Sequence, residues 1–136
     1  MFTISQALVD SMVNHSIINK PNECCGILAG VSNNITKVYE VPNKTPSPYR
    51  YEMAPKVILE VEQDADTQEL QLLAIYHSHT HSPAYPSDTD RRMALESGWV
   101  DFCYVLISLE KDNHPIVNFF WIDVDGYSKQ IDYKII

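Results

Sequence analysis

Two histidines, His77 and His79, stand two positions apart at the end of an apolar run, Leu70 to Tyr76. In an extended chain, residues i and i+2 point to the same side. Both imidazoles can therefore reach one ion. Asp90 falls in the first turn of a helix that Ser87 is expected to open, after a proline-bearing loop (residues 82–86) able to fold it back. Two histidines and a carboxylate, with a fourth position left open, make a catalytic zinc site rather than a closed structural one. The order differs from the helical His-Glu-x-x-His arrangement. No glutamate lies between these histidines, so a general base must come from elsewhere. Glu23 is the natural candidate, because it begins an apolar segment whose end can lie beside the site.

Each residue has a plainer reading. Asp90 three positions after Ser87 is also the pattern of a capping box, worth about 1 kcal/mol. Position alone leaves ligand and cap even, and the paired histidines favour ligand. Ser87 can be only a helix cap, and Glu23 only a solvated acid at a strand end. His81 extends the alternation to a third imidazole, and three-histidine zinc sites exist. His15 and His114 match no pattern and are expected at the surface. Cys24, Cys25 and Cys103 sit in apolar segments and read as small buried hydrophobes. A zinc deaminase would need His-x-Glu and Pro-Cys-x-x-Cys; the chain has neither.

The elements that must position these groups follow from periodicity. Thr3 with Gln6 predicts a capped first helix, with Ile4, Ala7, Leu8, Met12 and Ile17 on its inner face, ending before Asn19. Glu23 to Val31 is small and apolar throughout and predicts a strand buried on both faces. Ile35 to Val41 alternates as a paired strand. Residues 42–50, with three prolines, predict an irregular loop, and Tyr51 to Met53 a short strand. Pro55 opens a second helix whose inner face carries Val57, Ile58, Val61 and Ala65. Leu70 to Tyr76 is a core strand, Ser87 starts the third helix, and Phe102 to Leu109 and Pro115 to Val124 are further strands. Asp125-Gly126 predicts a hairpin turn into one last strand, residues 127–135. About three helices and six or so strands in mixed order give one α/β layer structure, a single domain over residues 1–136.

The net charge of −8 argues against nucleic acid and against an anionic membrane surface. The N-terminal residues lack a basic segment followed by an apolar run, and no stretch has the ~18 apolar residues of a membrane span. A cytoplasmic location is expected. The odd cysteine count, with two adjacent, is a poor disulfide framework and agrees.

The pattern His77-Ser78-His79, seven residues, Ser87, two residues, Asp90, with Glu23 well upstream, resembles the JAMM/MPN+ metallopeptidase family. Flanking segments also look alike, Pro21-Asn22-Glu23-Cys24-Cys25-Gly26-Ile27-Leu28-Ala29-Gly30 and the strand into His77. The resemblance implies a mixed, curved β-sheet flanked by helices, the three-layer architecture that JAMM proteins share with cytidine deaminases. It implies one Zn²⁺ held by His77, His79 and Asp90, which leaves His81 a neighbour of the cleft or a surface residue. It makes Glu23 the general acid/base and Ser87 a donor to the oxyanion, and leaves Ser78 to orient the loop. Thr80 stands where many members carry proline, so a looser turn is expected there. The implied substrate is a small ubiquitin-like protein with a C-terminal Gly-Gly, in the compact prokaryotic branch a sulfur carrier. A lysine-linked adduct is the alternative substrate, and a non-catalytic docking module the alternative role.

Overall fold

The computed structural model describes residues 1–111 and 113–136. Its elements are β1 (Phe2–Ile4), α1 (Gln6–Asn19), β2 (Cys25–Val31), β3 (Asn34–Val41), α2 (Pro55–Thr67) and β4 (Gln71–His79). They continue with α3 (Asp88–Ser97), β5 (Phe102–Ser108), β6 (Ile116–Ile122), β7 (Ser128–Ile131) and β8 (Tyr133–Ile135). The strands form one sheet in the order β7-β6-β5-β4-β2-β3-β1-β8. It is mixed: β2 runs antiparallel to both neighbours, whereas β4 and β5 are parallel. A parallel pair needs a crossover, and α3 lies within it, between β4 and β5 in the chain.

The sheet curls until it nearly closes. Only Asp132 separates β7 from β8, yet these strands occupy opposite ends of the strand order. The Tyr133 ring stacks on Phe119 of β6 at 4.1 Å, and its hydroxyl donates to the Val117 carbonyl at 3.2 Å. The single strand expected over residues 127–135 is therefore two. The turn expected at Asp125-Gly126 is present, with Asp123 Oδ1 accepting from the amides of Asp125 and Tyr127.

Side-chain alternation along the central strands builds a core on each face. Leu28 and Tyr76 pack with Met12 of α1 and with Phe2, Ile4, Val105 and Phe119. Ile27 and Ile75 face the other way, with Val61 of α2, Ala94 of α3, Tyr51 and Tyr104. Helices cover both faces, as the three-layer expectation requires.

Three local expectations fail. Residues 2–4 form a strand, because Phe2 and Ile4 are buried at a period of two; the helix cap moves to Ser5, whose side chain accepts from the Leu8 amide. The buried face of α1 is Val9, Met12, His15 and Ser16, and Ile17 points outward. Tyr51 to Met53 is not a strand, since the Glu52 amide donates to the Asn43 side chain instead of to a strand partner.

Gly30 sits where the β2–β3 register shifts, and an added Cβ there would lie 1.8 Å from the Asn34 carbonyl oxygen. A main-chain oxygen cannot rotate away. Gly30→Ala should cost about 1–3 kcal/mol, in the range of overpacked cores. Urea unfolding reads this as a lower midpoint at constant m-value, and an unchanged midpoint would contradict the packing described.

Candidate metal centre

β4 runs three residues past the expected end and carries His77 and His79 within the strand. Both rings emerge on the α2/α3 side of the sheet, as period-two geometry demands. The chain then turns back over the strand ends. Ser108 Oγ donates to the Ser82 carbonyl, and the Leu109 amide to the His79 carbonyl. This return sets the first turn of α3 against the histidines.

Asp90 does both things its position allowed. The Ser87 side chain accepts from the Asp90 amide at 3.0 Å, and the Ser87 amide donates to Asp90 Oδ2 at 2.9 Å, a complete capping box. The same Oδ2 lies 3.1 Å from His77 Nε2 and 3.0 Å from His79 Nε2, and the two Nε2 atoms are 3.2 Å apart. All three residues are buried. Donors about 2.0–2.1 Å from a tetrahedral ion lie about 3.3 Å from one another, so the triangle has the right size for one zinc ion.

The hydrogen-bond chemistry points the same way. His79 Nδ1 lies 2.8 Å from the Pro83 carbonyl. A carbonyl only accepts, so Nδ1 carries the hydrogen and the neutral ring presents a bare lone pair at Nε2. That lone pair faces the Asp90 carboxylate at close range. Two acceptors held this way need a positive charge between them, either a proton or a metal ion.

Proton affinities record the same tension. Burial alone would raise the Asp90 carboxyl, but the two imidazoles override it and hold the group far below the ordinary carboxylate range. Burial pushes the His77 imidazole down, only partly offset by Asp90. Burial also disfavours charge on His79, yet its hydrogen bond and attraction to Asp90 win and raise it. His77 takes its orientation from a stacked Tyr51 ring, 4.5 Å away at 30°. Tyr51 also lines a mostly apolar cleft of about 340 Å³ with Met53, Ile58, Met93 and Trp99.

Glu23 joins this group through strand pairing. Cys25 is opposite His77, the Ser78 amide donates to the Cys24 carbonyl, and the Cys24 amide donates to Ser78 Oγ. Glu23 is 4% exposed, and its Oε1 has no partner among the described residues. Burial pushes its carboxyl up to about 8, with His79 opposing the shift and Asp90 adding to it.

The remaining candidates fall outside the triangle. His81 is exposed and bonded to the Thr80 hydroxyl at 2.9 Å. Thr80 is buried and donates to the Pro21 carbonyl, so the turn expected to be loose is tied down. His15, expected at the surface, is buried beneath α1 with Nδ1 2.8 Å from the Tyr76 hydroxyl; His114 is exposed. The three cysteines are free and buried, as expected. Sequence reasoning missed Tyr51 and the Pro83 carbonyl. A tyrosine in a loop carries no signal of stacking, and a main-chain oxygen carries none at all.

A family model described as "Prokaryotic homologs of the JAB domain" matches residues 5–123. The chain belongs to this compact prokaryotic branch of the JAMM-type family. A CysO-cysteine peptidase of Mycobacterium tuberculosis is 34% identical over 119 residues, 84% of this chain and 77% of that protein. A probable TtuB-protein conjugate cleaving protease of Thermus thermophilus is 34% identical over 92 residues, covering 67% of this chain and 62% of its own length. A solution structure from Desulfitobacterium hafniense superposes with a TM-score of 0.88 at 28% identity, over 100% of this chain and 93% of the other. The peptidase relatives support a hydrolase, and the His77-His79-Asp90 triangle fits a single zinc ion.

In the metal-free protein burial pushes the Glu23 carboxyl up to about 8, whereas the unfolded chain releases that proton near the ordinary glutamate value of 4.5. Stability is then lost as pH rises through that window. Glu23→Gln should raise the metal-free Tm at a pH above 8 and leave it nearly unchanged near pH 4. An equal shift at both pH values, read by calorimetry, would mean that the carboxyl titrates as an ordinary one.

Proposed function

We propose that this chain is a zinc-dependent peptidase that cleaves after the C-terminal Gly-Gly of a small ubiquitin-like sulfur carrier. The reading takes residues 1–136 as a single MPN+ domain. The observation that carries it is the convergence of two imidazole nitrogens and a carboxylate oxygen within 3.0–3.2 Å beside a buried carboxyl that has a free oxygen. His77, His79 and Asp90 would hold the ion. When bound, zinc supplies a Lewis acid and brings the pKa of a water towards ~7.

This chain's own residues do the rest. Glu23 takes a proton from the attacking water and returns it to the leaving amine. A carboxyl that burial pushes towards neutrality is suited to both halves of that exchange. The Ser87 oxygen already accepts from the Asp90 amide, which leaves its hydroxyl hydrogen free to donate to the oxyanion. Such a donor is worth about 3 kcal/mol in other enzymes. Ser78 takes no chemical step and holds the strand end that carries Glu23.

The name of the Mycobacterium tuberculosis relative supports cysteine as the leaving group and a carrier protein as the substrate. A slim, extended Gly-Gly end suits approach to an ion held by three buried residues. The Thermus thermophilus relative's name, a protein conjugate cleaving protease, supports the second reading, in which we take the bond cut to be lysine-linked. The chemistry is the same, and only the leaving amine differs. Three unpaired cysteines support a reducing, cytoplasmic setting. No helix among the described residues is long and apolar enough to cross a membrane.

Incubation of the zinc-loaded protein with a sulfur carrier bearing one cysteine after its Gly-Gly should remove the mass of that cysteine. Chelator and Glu23→Gln should each block the loss, the latter with zinc retained. Turnover by Glu23→Gln at the unaltered rate would sink the mechanism. No mass loss, with a lysine-linked adduct cleaved instead, would move the assignment to the second reading. In addition, His79→Ala and Asp90→Ala should each lose most bound zinc by elemental analysis, and stoichiometric zinc in either would disprove the ligand set.

A further inference from the structure

We propose that Asn43 is the positioning residue for Glu23, and that the same carboxamide sets the loop whose Tyr51 orients His77. The proposal rests on the reading of Glu23 as the proton carrier. Asn43 lies just beyond β3, at the start of the connection to α2, and is half-buried. Its Nδ2 donates to the Glu23 carbonyl at 3.2 Å and to the Arg50 carbonyl at 3.1 Å. Its Oδ1 accepts from the Thr45 amide at 3.1 Å and from the Glu52 amide at 3.0 Å. The two donors meet two carbonyls and the acceptor meets two amides. The opposite orientation of the amide would set like against like at all four contacts.

Glu23 needs such an anchor. It precedes β2, which starts at Cys25, so no strand ladder fixes its main chain. Its Oε1 has no hydrogen-bond partner among the described residues, so the side chain is not held there. What holds the residue is its main chain: the Glu23 amide donates to the Ser47 carbonyl at 2.8 Å, and its own carbonyl receives Asn43. Ser47 belongs to the loop that Asn43 closes on itself, so Asn43 governs both attachments. Arg50 and Glu52, each bonded to Asn43, flank Tyr51, whose ring lies on His77. One side chain thereby connects the proton carrier with the support of a metal ligand. Mutations one step removed from such ligands typically cost about 10–100-fold.

The test is Asn43→Asp. It keeps an acceptor for the Thr45 and Glu52 amides and sets an oxygen, instead of an NH₂, against the two carbonyls. On the carrier substrate, kcat should fall at least tenfold with KM unchanged and one zinc retained per chain. In the Glu23→Gln background, Asn43→Asp should cost far less residual turnover than it does with Glu23 in place, because the Glu23 function is already gone and only the Tyr51 support of His77 remains to be lost. Losses that multiply in the double variant, or an unchanged kcat, would overturn the proposal. A purely structural role would multiply. If the zinc-loaded wild-type protein turns over no Gly-Gly substrate, the peptidase reading fails, and carbon NMR of the same variant decides the positioning separately. The Glu23 carbonyl and carboxyl resonances should then shift, with Thr45 and Glu52 amides still protected from exchange. Unshifted Glu23 resonances overturn it. Should Asn43→Asp fail to fold, Asn43→Gln carries the same expectations, with the same groups displaced by one methylene.

Discussion

The pairing of β2 with β4 is the constraint on which the candidate site depends. It places Cys25 opposite His77 and joins Cys24 to Ser78 by two reciprocal hydrogen bonds. Residues 54 positions apart in sequence thereby become neighbours. Period-two geometry does the remainder. If Cys25 and His77 share a face, His79 shares it too, and a one-residue slip would send both imidazoles into the opposite core. The register is protected by burial. Leu28 and Tyr76 fill one core while Ile27 and Ile75 fill the other, so a slip would expose nothing to water but would put every side chain into the wrong shape. A site built on the centre of a doubly covered sheet inherits the rigidity of both cores.

Against that rigid strand pair, Asp90 is held by a device of another kind. One oxygen accepts from the Ser87 amide that begins α3 and also faces both imidazoles. The cap fixes the carboxylate before any ion is considered. Its reach to the histidines comes from the loop that returns over β4, pinned by Ser108 to Ser82 and by His79 to Pro83. Cap and candidate ligand are therefore not rival readings of Asp90. The cap is the means by which the carboxylate is presented, and each use restricts the side chain to the conformer that the other requires.

Much of this was legible in the sequence because the decisive signals are local. Histidines at i and i+2 on an apolar strand need share only a strand to share a face. Ser87 and Asp90 announce a helix start whatever surrounds it. The small apolar run from Glu23 to Val31 reads as a strand buried on both faces; the strand is Cys25–Val31 and is buried as far as Gly30. What was illegible depends on contacts across the fold. His15 matches no pattern, and its burial is explained by contacts across the fold, with the Tyr76 hydroxyl at Nδ1 and the Glu40 carboxylate 3.7 Å from Nε2. Phe2 and Ile4 make too short a segment to compete with a nearby cap signal, until β3 and β8 pair with them on either side. Asp132 cannot be seen as a break between strands without knowledge that the sheet curls back on itself. The irregular loop over residues 42–50 was correctly expected, but its organisation by one asparagine could not be, since asparagine in a loop is ordinary.

The two histidines are held by different physics, and this asymmetry bears on how the site is built. His79 is fixed by a hydrogen bond from Nδ1 to the Pro83 carbonyl, which chooses its tautomer and presents Nε2 as an acceptor. His77 Nδ1 has no partner among the described residues, and the ring is held by stacking on Tyr51. A buried polar atom left without a partner costs about 1–3 kcal/mol. Stacking offsets part of that loss, at about 0.5–1.5 kcal/mol beyond area burial for an aromatic pair. His77 is thus the costlier of the two to bury, in a protein whose neighbouring carboxyl Glu23 is also buried with an oxygen unpaired. Two unsatisfied polar atoms beside two imidazoles and a carboxylate that converge are hard to explain as fold stabilisation. They are readily explained if the fold spends stability to keep a lone pair, a carboxylate and a proton carrier aimed at one point.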